Sequence, residues 1–335
     1  MRGTSLLRYR IYDLDTMGLE PLCRLYGKVY GDAQPLRTRL KWELQERPDK
    51  ADVAVYTVWA GDELVGMTVR LPCPLVIGGE TVRACFAVDT MVAPEYQGRG
   101  VVRELYAMAS CCAAVQLSKG TAPGMYQALL KMGYRKVVPD NYQVCLLAPL
   151  KWLAGKVHPP LYRNTTHARP EGGFGEFEVL ARFDAGQEAL VSDCLAVDFG
   201  GVVKSLESLN WRYVDIPHRI YHRFVRKVRG RSVSMLVLRL AGMTAYLVDL
   251  RWTPQCPDEP AASIGFARRF SRRMGAIKLV SWGTLGVFRA ALERQFFFNV
   301  SDTPRFSYYP VDERFQCVDW SKIHLVHGDG DTEYL

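Results

Sequence analysis

VAPEYQGRGVVREL, residues Val92–Leu105, sets two glycines around an arginine, between an apolar run and a helical pattern. Ahead of it, Val82–Val92 has the β-rich composition of a strand. Behind it, Val101, Val102, Leu105, Met108, Ala109 and Cys112 fall on one helix face. Strand, proline, glycine loop, helix is an order that suits a phosphate, because N–H groups at a helix N terminus attract anions and glycine lets the anion come close. Known phosphate loops do not fit. A dinucleotide fingerprint needs a third glycine, but Val101, Val102 and Arg103 follow Gly100. The Walker lysine loop is absent, and so is the H-R-D element that a kinase needs. Taken alone, a tight turn into a helix accounts for the glycines nearly as well.

The neighbouring patterns give the loop a context. Val53–Trp59 and Leu64–Leu71 predict a strand pair around the turn Ala60–Glu63, and Gly78-Gly79 predicts a second hairpin. A short strand from Ala114 and a helix over Pro123–Gly133 follow, with Met125, Leu129 and Met132 as the apolar stripe. Strands from Tyr134 and Tyr142 are expected to close this half. His158–Gly175, rich in Pro, Gly and Thr and without periodicity, predicts a linker.

The second half echoes the first. Ala87–Pro94 (AVDTMVAP) aligns with Leu247–Pro254 (LVDLRWTP), each with Val-Asp and a proline five residues after the Asp. Ser118 follows Asp89 by 29 residues, and Ser281 follows Asp249 by 32. Similar helices come next, from Met125 and from Val287. The shared order and spacing predict a diverged tandem duplication. The copies differ after the proline. Gln255–Pro260 (QCPDEP) has no glycine, two prolines and two acids, so it cannot cradle an anion as Gln97–Val102 can. One cofactor site is expected, not two.

Gln97-Gly98-Arg99-Gly100-Val101-Val102 resembles motif A of the GNAT acyltransferases: Arg or Gln, two residues, Gly, one residue, then Gly or Ala. Val102 departs from the last position. Val92–Tyr96 before it suits the family, and Leu130–Tyr134 (LKMGY) resembles the end of motif B. The resemblance covers about residues 50–147, with a weaker version over 176–310. It implies an α/β fold (α+β by some schemes) of two GNAT-like lobes, each a mixed, mostly antiparallel sheet flanked by helices. The implied domains are 1–155, with the acyl-CoA site; a linker over 156–175; and 176–335, a degenerate lobe contributing to an acceptor cleft. The whole chain is similar to tandem-GNAT N-acyltransferases of nucleotide-linked amino sugars in bacterial polysaccharide pathways. Asn210–Tyr213 (NWRY) and the closing HGDGDTEY from His327 add to that similarity.

The resemblance implies direct attack of an amine on the thioester of acetyl-CoA or a longer acyl-CoA, with no acyl-enzyme. The main chain near Met91 and Val92 would meet the thioester carbonyl, and Gln97, Gly98, Arg99, Gly100, Val101 and Val102 the pyrophosphate. Asp89, ending the strand that leads there, is the candidate base. The family's thiolate acid is a Tyr four residues before the motif B glycine. Leu129 stands there, so Tyr126, one turn earlier, is a displaced candidate. Tyr134 would pack near the pantetheine arm.

Bulk properties narrow the alternatives. With 48% hydrophobic and 23% charged residues the chain is ordinary globular protein, which excludes a disordered or fibrous reading. No apolar run is long enough to span a membrane, and the start lacks a signal-like apolar segment. Nine cysteines without C-x-x-C suggest reduced thiols in the cytoplasm, and His218 and His222 lack the acid of a zinc helix motif, so no metal is expected. The net charge of +8 gathers partly in His222–Arg231 and Ala267–Lys278. Aromatic residues do not interleave with these bases, which disfavours nucleic acid as a partner. A nucleic-acid-binding module on this scaffold, acylation of a protein, peptide or other small amine, and a homo-oligomer stay open.

Overall fold

The computed structural model describes residues 6–31, 36–150, 175–192 and 199–330. The expected linker, up to residue 174, lies outside them, as do residues 331–334 of the closing motif. Strands are numbered along the chain. The first nine are β1 (Leu7–Ile11), β2 (Ala54–Ala60), β3 (Glu63–Pro72), β4 (Leu75–Ile77), β5 (Glu80–Val82), β6 (Ala84–Val92), β7 (Val115–Ser118), β8 (Arg135–Lys136) and β9 (Gln143–Leu146). The rest are β10 (Phe177–Val179), β11 (Gly200–Val202), β12 (Tyr221–Val228), β13 (Arg231–Ala241), β14 (Thr244–Trp252), β15 (Lys278–Ser281), β16 (Phe298–Asn299), β17 (Ser307–Pro310) and β18 (Ile323–His324).

Two compact units divide the chain. The first takes Met1–Pro74, Val82–Lys136 and Arg305–Cys317; the second takes Leu75–Thr81, Val137–Pro304 and Val318–Leu335. The first holds a seven-stranded sheet in the order β1-β2-β3-β6-β7-β17-β8, in which only β6 and β7 run parallel. The second holds another, β10-β12-β13-β14-β15-β9-β16, in which only β14 and β15 run parallel. Strand for strand the two sheets have one topology. A smaller sheet, β18-β11-β4-β5, contributes to the second unit.

The units do not divide at one point in the chain, as a 1–155 and 176–335 division expects. The strand from Tyr142 does not close the first half. It is β9, inserted between β15 and β16 of the second sheet, while β17, late in the chain, fills the matching slot between β7 and β8 of the first. Each sheet thus takes its sixth strand from the other half of the sequence.

Packing follows from composition. In β2 and β3 nearly every residue is buried on both faces, as expected where helices cover a sheet from two sides. In the first unit these are the helices Glu20–Tyr30, Leu36–Leu44, Val101–Met108 and Pro123–Lys131. Gly66 on β3 admits the Val101–Met108 helix. A Cβ there would lie 2.8 Å from Val58 Cγ1 and 3.4 Å from Val101 Cγ1. The second unit builds its core on stacked aromatics, with Phe177 and Phe266 centroids 4.0 Å apart and Phe224 edge-on to Phe266 and Phe270.

Candidate functional site

The first sheet opens at its parallel pair. β6 pairs with β7 only from Ala84 to Phe86, and β7 ends at Ser118. From Ala87 to Val92, β6 continues with no strand paired on that side among the described residues, so the ladder between the parallel strands ends there. On its other side β6 carries a bulge. Met91 faces Met67 and Val88 faces Val69, which leaves Asp89 and Thr90 opposite Thr68 alone. Asp89 takes φ +48°, a left-handed conformation that costs an L-residue energy unless its surroundings hold it.

The surroundings do. Arg39, on the helix Leu36–Leu44, donates from Nη2 to both carboxylate oxygens of Asp89 at 3.0 and 3.2 Å. Arg39 also pairs with Glu43 at 3.4 Å and hydrogen-bonds the Tyr26 hydroxyl. Burial disfavours its charge, but Asp89 and Glu43 outweigh that and raise its pKa. On the Thr90 side a hydroxyl chain runs Thr68–Thr90 at 2.7 Å and Thr90–Tyr106 at 3.1 Å, and Arg70 donates to Thr68 at 2.5 Å.

β6 leads through Pro94–Tyr96 into the glycine loop. The Gln97 side-chain amide donates to the Val92 carbonyl at 3.0 Å, tying the loop back to the strand end. Arg99 lies over the Tyr96 ring. Gly98 and Gly100 take φ +75° and +79°, which a β-carbon would strain. Gly100 is the N-cap of the helix Val101–Met108 and makes no side-chain cap; the first helical bond is Glu104 N–H to Gly100. The N–H groups of Val101, Val102 and Arg103 are therefore left for an external acceptor, and no atom outside the loop comes within 4 Å of a Cβ built at Gly98. An exposed anion with several oxygens, such as a pyrophosphate, fits this donor set.

The other candidate residues sit around the opening. Met91 and Val92 are buried in β6. Val102 packs against the cluster of Ala87, Tyr106, Leu129 and Tyr134. This gives the departing motif position a packing role. Tyr126 is buried on the helix Pro123–Lys131. Tyr134 donates its hydroxyl to Gln116 at 2.9 Å, meets Tyr106 edge-on and lies tilted against Tyr309; burial pushes its phenol pKa up. Sequence reasoning missed Arg39, Glu43, Thr68, Thr90 and Tyr106. Only the Arg39/Glu43 pair at i,i+4, set beside buried Leu40, Trp42 and Leu44, left a signal.

The second unit builds the matching place differently. β14 parts from β15 after Leu247, but Gly328 N–H bonds the Val248 carbonyl at 2.8 Å, and Val326 bridges Gly283. The segment Leu325–Gly330 thus fills the opening. Asp249, the counterpart of Asp89, is held by Lys204 at 2.7 Å and Tyr213 at 3.0 Å, and Lys204 reaches Asp329 at 2.7 Å. Burial pushes the Asp249 pKa up, but Lys204 and Arg251 prevail and hold it well below the usual carboxylate range. The helix Glu259–Arg273 begins with a buried carboxylate of its own. Glu259 accepts from Ser234 at 2.6 Å and pairs with Arg226. Part of the NWRY stretch serves this frame: Tyr213 holds Asp249, and Asn210 brackets Phe183 by two backbone bonds.

Residues 11–135 match the family described as acetyltransferase (GNAT) domain. The whole fold is shared with solved structures. A probable N-acyltransferase from Enterococcus faecalis V583 aligns over 92% of this chain and 73% of its own, with a TM-score of 0.62 and 12% identity. A GCN5-related N-acetyltransferase from Kribbella flavida aligns over 91% and 72%, at 0.59 and 15% identity. Saccharomyces cerevisiae N-myristoyltransferase, solved with bound myristoyl-CoA, aligns over 92% and 78%, at 0.55 and 12% identity. The fold is that of the GNAT acyltransferases. No curated protein matches the sequence. Among the described residues, no helix is long and apolar enough to cross a membrane.

Proposed function

We propose that the chain is an acyl-CoA-dependent N-acyltransferase with one donor site, in the first unit, and that its acceptor is a small amine, a nucleotide-linked amino sugar in the favoured case. The observation that carries this reading is the opening beside β6, which runs directly into an uncapped helix start behind two left-handed glycines. Acyl-CoA supplies an electrophilic thioester carbonyl. The chain would supply main-chain donors near Met91 and Val92 for that carbonyl, and Gln97, Gly98, Arg99, Gly100, Val101 and Val102 for the pyrophosphate.

Asp89 is the proposed base, acting on the amine through water. To take a proton its carboxylate must give up the Arg39 ion pair, so a purely structural role, holding the bulge, is the competing assignment. Tyr126 is the proposed acid for the departing thiolate, and Tyr134 packs behind the donor's arm. The matching sheet topologies and aligned Asp and Ser positions support a tandem duplication in which the second copy lost its donor site.

Titration calorimetry with coenzyme A tests the donor site; absence of binding at millimolar concentration ends the proposal. A mass-detected panel of nucleotide-linked amino sugars, free amino sugars and peptide amines, each with acetyl-CoA and longer acyl-CoAs, tests the acceptor.

A further inference from the structure

Arg70 on β3 is about 1% exposed, yet no carboxylate meets it among the described residues. Its bonds go to the Thr68 hydroxyl and the Val69 carbonyl, its Cζ lies 4.4 Å from the Tyr106 ring centroid, and Nε and Nη2 have no hydrogen-bond partner among the described residues. A buried guanidinium without an anion is costly. The acidic groups that act on it are Tyr106, Tyr134, Cys85 and Cys112. The two cysteines are a pair, with sulfurs 3.7 Å apart across 27 positions of sequence.

We propose that Cys85 and Cys112 form a peroxide-sensitive dithiol site, with Arg70 as its counter-cation, that closes to a disulfide around the segment carrying the candidate donor site. The division of labour follows from position. Cys112 ends the short turn Ala109–Cys112 after the Val101–Met108 helix and is partly open to solvent. Cys85 lies inside β6, between β3 and β7, and is buried. The hydrogen bond from Cys85 favours the Cys112 thiolate, burial opposes it, and Arg70, Arg83 and Tyr56 add to the favourable side. The same bond, with burial, raises the Cys85 thiol. Cys73 also faces the pair electrostatically, through Cys85.

The chemistry balances with hydrogen peroxide as oxidant. The Cys112 thiolate attacks one peroxide oxygen; an S–O bond forms, the O–O bond breaks, and hydroxide leaves and is protonated to water. Cys85 sulfur then attacks the sulfenic sulfur of Cys112. An S–S bond forms, the S–O bond breaks, and the Cys85 proton leaves with the hydroxyl as a second water. Peroxide is reduced by two electrons, and the thiol pair is oxidised by two. The sulfurs must approach by about 1.7 Å to reach bonding distance, a movement the partly exposed turn is placed to make. The closed segment contains β6 from Cys85 onward, Asp89, the glycine loop and the helix behind it.

The full chain, fully reduced, is exposed near neutral pH to a few equivalents of hydrogen peroxide, alkylated and peptide-mapped. The expected result is a cross-linked Cys85–Cys112 peptide, lighter by two hydrogens, formed before the exposed Cys111 and Cys317 react. The melting temperature rises by several degrees and returns with dithiothreitol, since the cross-link restricts the unfolded chain. In Arg70→Met, alkylation of Cys112 at neutral pH slows tenfold or more. Oxidation of Cys111 or Cys317 first, with Cys85 and Cys112 recovered as free thiols, overturns the proposal. So does Cys112 proceeding to sulfinic acid without linking. Both outcomes are read on the wild-type chain, whatever the fate of the variant.

Discussion

Arg39 grips both carboxylate oxygens of Asp89 across 50 positions of sequence, and Asp89 in turn sits at the strained centre of the β6 bulge. The pair is buried, with each side chain under a tenth exposed. Removing the cation takes from buried Asp89 the ion partner that the structure shows for it. Arg39→Leu is therefore expected to lose about 3–5 kcal/mol of stability in urea unfolding. A loss within about 0.5 kcal/mol, the range of ordinary surface substitutions, would show that the pair does not hold the bulge.

Asp89→Asn separates the two roles of this residue. Asparagine tolerates left-handed backbone and keeps the shape but cannot take a proton. If Asp89 is the base, kcat falls at least about a hundredfold while stability is little changed. If Asp89 only holds the bulge, kcat changes little and the change appears in stability.

Gly100→Asp should abolish acyl-CoA binding while leaving the fold. Aspartate accepts a left-handed φ better than most residues, so the strain is about 1 kcal/mol. Its carboxylate would satisfy the helix N–H groups itself and repel a phosphate, costing about 2 kcal/mol or more of binding. Calorimetry reads the affinity and circular dichroism the fold; unchanged affinity removes the loop from the donor site.

At Gly328 a methyl group would overlap the Tyr213 hydroxyl and lie 2.9 Å from Val248 Cγ1. Gly328→Ala is expected to cost about 1–3 kcal/mol. Gly98→Ala, where no atom outside the loop waits within 4 Å, is the contrasting case: backbone strain without overlap. A Gly328→Ala loss within about 0.5 kcal/mol, by urea unfolding, would mean that the plug in the second sheet is loose.

His324 is buried with Nε2 2.8 Å from the Leu250 carbonyl. Burial, with Arg251 adding, pushes its pKa down to about 4 against an opposing Leu250 hydrogen bond and the Asp249 and Asp329 charges. The folded state thus holds the ring neutral where the unfolded chain, near 6.5, already binds a proton. This contribution is fully present above pH 6.5 and lost as pH falls toward 4, about 3 kcal/mol in all. Unfolding free energies of wild type and His324→Gln, compared across that window, should converge at low pH; parallel curves would refute the assignment.

The parts legible in the sequence are local ones. The Val-Asp strand, the glycine loop and the following helix announce themselves within twenty residues, because strand, turn and helix each have their own period and punctuation. The duplicated spacing is legible for the same reason. Arg39 was not, since nothing local ties a helical arginine to an aspartate fifty residues on. Nor were the addresses of β9 and β17. A short apolar run states that it will be a strand but not which sheet will receive it, and here the sheet of the other half wins in both cases. The closing glycine-rich segment carried a resemblance, but its position inside the second sheet depends on contacts with Tyr213, Lys204 and Val248 that only the folded chain assembles.

The exchanged strands also set a timetable. During synthesis, the first sheet has β7 and β8 long before β17, residues 307–310, leaves the ribosome, and until then the slot between them stays open. The second sheet faces no such wait, because β9 is made before β10 and stands ready when β15 and β16 emerge. The half made first is therefore completed last, and a ribosome that stops short of Ser307 releases a chain whose proposed donor lobe has an unpaired edge.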